Sequence, residues 1–243
     1  MTTPTHHLAY DQTEGDGPGV VFLGGFMSNK EGVKARYLEE WAQRRGRAFL
    51  RFDYSGHGQS SGDFREGTIS RWAEDAAAII GSMTEGPQIL VGSSMGGWIA
   101  LLIAREMPDR VAGMVTIAAA PDFTEDSVWA GMGEDARAAL MTDGEILVPS
   151  EYDPEPYIIT RKLVEDGRRN LVLRSPLRLR CPLRILHGSS DVDVDPSVAQ
   201  RLFECVDASD VRLTLVKGAD HRFSDPDCLA LIVHAIEDVT ARS

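Results

Sequence analysis

The chain has 243 residues, 43% hydrophobic and 26% charged, a length and composition that suit a single globular domain and exclude extended disorder. Thirty-seven acidic side chains against 25 basic ones leave a formal charge of -12. That balance disfavours nucleic acid and anionic membrane surfaces as partners.

The first 17 residues, MTTPTHHLAYDQTEGDG, have no basic stretch ahead of an apolar core and no arginine. Neither a secretion signal nor a mitochondrial transit peptide is expected from them, and a cytoplasmic location follows as the expectation. Apolar stretches such as Trp98–Ala104 are far too short to cross a bilayer. Cys181, Cys205 and Cys228 are odd in number, widely spaced and never arranged as CxxC. They read as reduced thiols rather than as a disulfide framework or a zinc site.

Short runs of Val, Ile and Leu alternate with longer stretches of helical spacing. His7 to Gln12 fits an antiparallel edge strand. Val20–Leu23 is the first strong run and ends at Gly24–Gly25. A helix is predicted over Lys30–Arg45, with Val33, Tyr37, Leu38 and Trp41 on one face and Gly46 as its stop. Ala48–Phe52 follows, then a loop from Asp53 to Gly62 and a helix from Thr68 to Met83. Gln88–Val91 leads through Gly92 into a helix ending near Met107–Pro108. Val111–Ala118, Leu183–Leu186 and Leu213–Val216 read as further strands, and a last helix covers Pro226–Val239. Strand and helix in alternation predict an α/β fold, a mostly parallel sheet covered on both faces.

Residues 122–178 break the alternation. Helical segments are predicted near Asp126–Met141 and Pro156–Asn170, with Pro149, Pro154 and Pro156 between them, and no buried strand. A stretch this long inside one domain reads as a helical cap inserted over one end of the sheet.

Gly92-Ser93-Ser94-Met95-Gly96 fits G-x-S-x-G, with a buried strand before it and a helix after it. A sharp strand-to-helix turn would hold the Ser94 hydroxyl out at the end of the strand, and the glycines would let neighbouring backbone come close. Ser93 does not fit the pattern, because position 91 is valine. A neutral hydroxyl needs a base to become a nucleophile. Of six histidines, His6 and His7 lie in the tail and His234 inside the last helix. His57 and His187 sit in turns that suggest structural hydrogen bonding. His221 follows the last strand, in a loop at the carboxyl edge of the sheet, where a reacting imidazole belongs. Asp191, closing His187-Gly188-Ser189-Ser190-Asp191, is the candidate for the orienting carboxylate. Asp193 competes for that role, while Asp195 before Pro196 reads as a helix N-cap. An oxyanion would be held by the backbone N–H groups of Met95 and Phe26. The run Asp191–Asp195 lacks the glycine and glutamate of a calcium loop, and glycines 15, 17 and 19 precede a strand, so neither a metal nor a dinucleotide is expected.

These residues carry a resemblance. The strand–GxSxG–helix turn, the HGxxD segment and the late Asp–His pair, in the order Ser94, Asp191, His221, resemble the α/β-hydrolase superfamily. Phe49–Gly56, Gly86–Trp98, Cys181–Gly188 and Asp220-His221-Arg222 are similar to the mitochondrial palmitoyl-protein thioesterases that also cleave acyl glucuronides. The resemblance implies an α/β-hydrolase fold and a serine esterase or thioesterase without cofactor. Its nucleophile falls on Ser94, its acid on Asp191 and its base on His221. The substrate would be a small acyl ester or thioester, or an acylated protein. The absent targeting sequence points to a bacterial relative. The basic residues Arg161, Lys162, Arg168, Arg169, Arg174, Arg178 and Arg180 suggest attraction of an anionic leaving group, against the plainer reading of a solvated helix face.

Overall fold

The runs Val20–Leu23, Gln88–Val91 and Leu183–Leu186 become strands covered on both sides, whereas Leu213–Val216 lies at the sheet edge and is only partly covered. In the computed structural model, which describes residues 7–149 and 156–242, the chain opens with β1 (Tyr10–Thr13) and β2 (Asp16–Leu23). Next come α1 (Val33–Arg45), β3 (Arg47–Phe52), α2 (Ile69–Met83), β4 (Gln88–Ser93), α3 (Met95–Glu106) and β5 (Val111–Ile117). A long connection holds α4 (Glu134–Asp143), β6 (Glu145–Val148), β7 (Tyr157–Thr160) and α5 (Arg161–Gly167). The chain then runs through β8 (Leu177–Arg178), β9 (Leu183–Gly188), α6 (Pro196–Cys205), β10 (Val206–Asp207), β11 (Val211–Val216) and α7 (Pro226–Thr240). His6 and Pro154 lie outside the described residues.

Seven strands form one sheet in the order β1-β3-β2-β4-β5-β9-β11. The edge strand β1 is antiparallel to β3, with Tyr10 opposite Phe52, and every other pair is parallel. Alternate side chains feed two cores. Val20, Phe22, Ile89, Val91, Val115 and Ile117 pack with α1 and α7, while Val21, Leu23, Leu90, Met114 and Ile185 pack with α2 and α3. Trp72 and Trp98 are fully buried on the second face. Truncating either to alanine should cost roughly 3–5 kcal/mol. Burial pushes the Cys181 thiol up to about 11 and, with help from Asp225, the Cys228 thiol to about 12. Among the described residues, no helix is long and apolar enough to cross a membrane.

The connection between β5 and β9 differs from the expected pair of helices. Over 126–141 the chain forms a π-helical turn (Thr124–Trp129) and then α4, separated by Gly131 and capped at Gly133. Two glycines in one turn weaken a helix there. Within 156–170, Tyr157–Thr160 are strand β7, antiparallel to β6 with Tyr157 opposite Val148. Tyr-Ile-Ile-Thr suits a pleated surface, and Glu-Ile-Leu-Val supplies its ladder. Thr160 then starts α5 by accepting from the Leu163 N–H at 3.0 Å.

Two buried carboxylates fasten this connection. Asp122 has φ 60° and no exposed surface. It accepts from the Val172 N–H at 2.8 Å and the Leu173 N–H at 3.0 Å, and Arg174 lies 3.2 Å away. Burial still raises its pKa above the usual carboxylate value. Asp166, on α5, accepts from the Ser70 N–H and hydroxyl at the start of α2. Replacing Asp122 by alanine strands two backbone donors in a dry site. A loss of roughly 1–3 kcal/mol in stability is expected, read as a lower midpoint in urea unfolding.

Candidate active site

Ser94 lies between β4 and α3 with φ 55° and ψ -120°, a conformation that costs a non-glycine residue about 1–3 kcal/mol. The surrounding packing enforces it. A Cβ on Gly92 would sit 2.4 Å from the Gly96 carbonyl oxygen, and one on Gly96 would sit 2.1 Å from the Leu23 carbonyl oxygen. The Ser94 N–H donates to the Ile117 carbonyl at 2.9 Å, and the Gly97 and Ala120 amides donate to the Ser94 carbonyl. The turn is thus stitched to β5 on one side and pressed against the end of β2 on the other.

His221 is carried by the loop between β11 and α7. Its Nε2 is 3.2 Å from the Ser94 Oγ and its Nδ1 2.8 Å from the Asp191 Oδ2. The Asp191 side chain has no exposed surface, whereas that of His221 is 16% exposed. Burial pushes the Asp191 pKa up. Hydrogen bonds from His187 and His221 and the His221 charge outweigh it, holding the carboxyl well below the usual carboxylate range. The other oxygen, Oδ1, accepts from the Asp193 and Val194 N–H groups at 3.0 and 2.9 Å. Asp193 therefore meets the site as a backbone donor to Asp191, and the imidazole nitrogen nearest a carboxylate faces Asp191. Asp195 caps α6 through the Ser197 N–H, as its place before proline indicates.

Three contacts were not legible in the sequence. His187, fully buried, lies 2.9 Å through Nε2 from the Val194 carbonyl and 3.2 Å from the Asp191 Oδ2. Its spacing of four from Asp191 at a strand end is the only sequence hint. Lys34 of α1 donates through Nζ to the Arg222 carbonyl, next to His221. Burial pushes its amine down to about 8, with Asp220 opposing and Arg222 adding to the shift. His57 accepts the Met27 N–H at Nε2, 3.2 Å away. No short-range pattern links the last two pairs, which lie far apart in the chain.

A cavity of about 840 Å³ opens over Ser94, within the size range of small-molecule sites. Phe26, Phe123, Val128, Met132, Tyr157 and Ile159 give it apolar walls, five of them from the β5–β9 connection. Phe26 bridges the two parts, with its ring 5.7 Å from Phe123 and 5.9 Å from Tyr157. A Cβ on Gly25 would lie 3.3 Å from the Ser94 Cβ, so the turn carrying Phe26 leans on Ser94. Met95, the first residue of α3, is buried beside it.

The seven basic residues of the connection do not face this cavity. Each stands opposite a carboxylate: Arg161 to Glu165, Lys162 to Glu66, Arg168 to Glu125 and Arg169 to Asp166. Arg174 pairs with Asp122 and Asp126, Arg178 with Asp207, and Arg180 with Asp109. In an acidic chain the basic cluster is matched locally, so its attraction for an anionic leaving group falls away. The cations that do line the cavity are Lys34, Arg201 and Arg222.

Known proteins share this arrangement of elements. A family model described as serine aminopeptidase, S33 (Hydrolase_4), matches residues 20–150. The chain is 36% identical over 234 residues to the mitochondrial palmitoyl-protein thioesterase ABHD10 of Mus musculus, covering 96% of this chain and 78% of that one. The Homo sapiens counterpart is 34% identical, with 96% and 76% covered. Among solved structures, a protein described as a hydrolase from Agrobacterium vitis S4 superposes with TM-score 0.94 at 42% identity, covering 98% of this chain and 95% of that one. The α/β hydrolase domain-containing protein 10 from mouse superposes with TM-score 0.91 at 33% identity, covering 100% and 97%. With its sheet order, its strand–serine–helix turn and these likenesses taken together, the chain belongs to the α/β-hydrolase family.

Proposed function

We propose that this protein is a serine hydrolase that cleaves carboxylic esters or thioesters, working as an acyl-protein thioesterase or carboxylesterase. The observation that carries the reading is the chain of contacts from the Ser94 Oγ through His221 to the buried Asp191, at the floor of a cavity with apolar walls. An apolar wall suits an acyl chain, and the similarity to palmitoyl-protein thioesterases supports the same substrate class. A small acyl ester or thioester, or an acylated protein, would be the substrate, and no cofactor is needed. In this reading the connection over 122–178 is a cap that shapes the acyl site within one domain. Three unpaired thiols suit a reducing compartment such as the cytoplasm.

The chemistry follows from where each group can move a proton. The Ser94 Oγ attacks the carbonyl carbon while His221 Nε2 takes the hydroxyl proton. Asp191 fixes the imidazole in the tautomer that leaves Nε2 free to accept, and it stabilises the imidazolium that forms. The carbonyl electrons move onto oxygen, which the Phe26 and Met95 N–H groups hold. The positive end of α3 favours the same charge. His221 then gives its proton to the leaving alcohol or thiol, and an acyl-Ser94 remains. Water attacks that ester with His221 again as base and releases the acid.

Replacing Ser94 by alanine should leave the fold intact and remove nearly all turnover. The check is a hydrolysis series of oxygen esters, thioesters and an acyl glucuronide from short to long acyl chains. A variant retaining most of its rate sinks the assignment of the nucleophile. Asp191→Asn should lower kcat by about 10³–10⁴-fold through the wrong imidazole tautomer, while Asp193→Asn, which keeps the backbone donor, should stay near wild type. Equal losses in both would reopen the identity of the acid. Tyr157→Ala widens the apolar wall, so it should raise KM for long-chain substrates more than for acetyl esters in the same series.

A further inference from the structure

The turn that bears Phe26 holds an uncomfortable shape. Gly25 accepts from the Ser28 N–H at 3.2 Å, and the Ser28 hydroxyl accepts from the Gly25 N–H at 3.1 Å, closing a four-residue turn. Its third residue, Met27, has φ 53°, a position where glycine or asparagine would be at ease. A bulky residue there relaxes by rotating the 26–27 peptide plane unless something holds that plane. What holds it is His57, whose Nε2 lies 3.2 Å from the Met27 nitrogen.

We propose that His57 is a positioning residue for oxyanion stabilisation: its Nε2 accepts the Met27 N–H, locks the strained Gly25–Ser28 turn, and so aims the neighbouring Phe26 N–H at the carbonyl oxygen bound to Ser94. The inference rests on the serine-hydrolase reading above. It assigns His57 no contact with substrate.

The surroundings determine the state of the ring. An amide N–H can only donate, so Nε2 must carry the lone pair and Nδ1 the proton. Nδ1 faces the Ser55 carbonyl at 3.2 Å, which accepts that proton. The ring is 3% exposed and wedged between Phe64 and Trp72, each with its centroid 5.1 Å away, with Tyr54 at 5.7 Å. Rotating the imidazole to exchange its nitrogens would break both contacts inside a packed aromatic cage.

Protonation would undo the arrangement, because an imidazolium has no lone pair for the Met27 N–H. Burial opposes that charge and lowers the His57 pKa below the ordinary histidine value, while the Ser55 carbonyl, Asp53 and Asp75 pull the other way. The charged groups on the packed elements are engaged elsewhere. Asp53, at the end of β3, accepts from the Lys30 and Gln59 N–H groups. Asp75, on α2, accepts from the Ser55 N–H and hydroxyl, with Arg71 3.5 Å away. Lys30, two residues beyond that turn, directs its amine to Asp11 and Glu31. Tyr54 is buried, and its pKa is raised by that burial and by Asp75. The neutral, accepting ring is the form this pocket favours.

The test compares the full-length wild type with His57→Phe, which keeps a ring but no acceptor, and His57→Gln, whose Oε1 can accept. Kinetics on one ester are paired with inhibition by a trifluoromethyl ketone of the same acyl group, which adds to Ser94 and places an oxyanion in the hole. His57→Phe should lower kcat by about 10²–10³-fold, the loss seen when one oxyanion donor is removed. Ketone affinity should fall with it, while KM moves less than about threefold. His57→Gln should recover at least about tenfold of that loss. A folded His57→Phe with kcat and ketone affinity close to wild type overturns the proposal. Should the phenylalanine variant fail to fold, the ¹⁵N shift of His57 Nε2 in wild-type protein decides alone. A pyridine-type, unprotonated Nε2 supports the proposal and a protonated one overturns it. Ser94→Ala and fluorophosphonate labelling run alongside. A wild type with no Ser94-dependent turnover or labelling overturns the serine-hydrolase reading itself, and with it any role of His57 in that reaction.

Discussion

Nothing larger than hydrogen can project from positions 92 and 96, and the site depends on that constraint. With a Cβ on Gly96, the first turn of α3 could not lie against the end of β2, because the Leu23 carbonyl would be 2.1 Å away. With a Cβ on Gly92, the turn could not fold back over its own strand. Close approach of three backbone segments leaves Ser94 at φ 55°, with its hydroxyl turned out of the helix toward His221. The local strain is held by the burial of the flanking strands and helices, which is worth far more than the strain costs.

Around that turn, polar groups position one another in largely buried relays. Asp191 takes two backbone amides on one oxygen and two histidines on the other. Each bond satisfies lone pairs that burial would otherwise leave exposed to a low dielectric, and together they keep the carboxyl ionised. On the opposite side of Ser94, His57 meets the turn that carries Phe26, and Asp53 takes the Lys30 amide just beyond that turn. The β5–β9 connection is tied in by the same device, with Asp122 gathering its two ends and Asp166 binding it to α2. Buried carboxylates act here as connectors between segments that share no strand ladder.

Much of this was legible in the chain. The strands were found because burial on both faces leaves a nearly unbroken apolar run, and β4 and β9 show that signature clearly. The serine turn was found because its glycines are needed wherever backbone crowds backbone. Tyr157–Ile159 falls inside the helix expected over Pro156–Asn170, because no local cue marks a partner strand. The partner is β6, and this antiparallel pair is set by pairing rather than by propensity. The basic residues of the connection left an anion-attracting patch open beside a solvated helix face, because four of their acidic partners, Glu66, Asp109, Asp122 and Asp207, are distant in sequence.

What the sequence by itself determined was therefore the alternation of layers and the strand–serine–helix turn, because each is written in spacing or in residues that only one backbone shape admits; it also offered Ser94, Asp191 and His221 as candidates, whose side chains the fold brings together. Tertiary structure alone decided which carboxylate oxygen meets which imidazole nitrogen, that His187 shares Asp191, that His57 grips Met27, and that aromatic side chains of the connection wall the cavity. Apart from the His187–Asp191 pair, those contacts join residues 30 to more than 100 positions apart. Their geometry arises from the packing of the two cores against the sheet, which no short stretch of chain encodes.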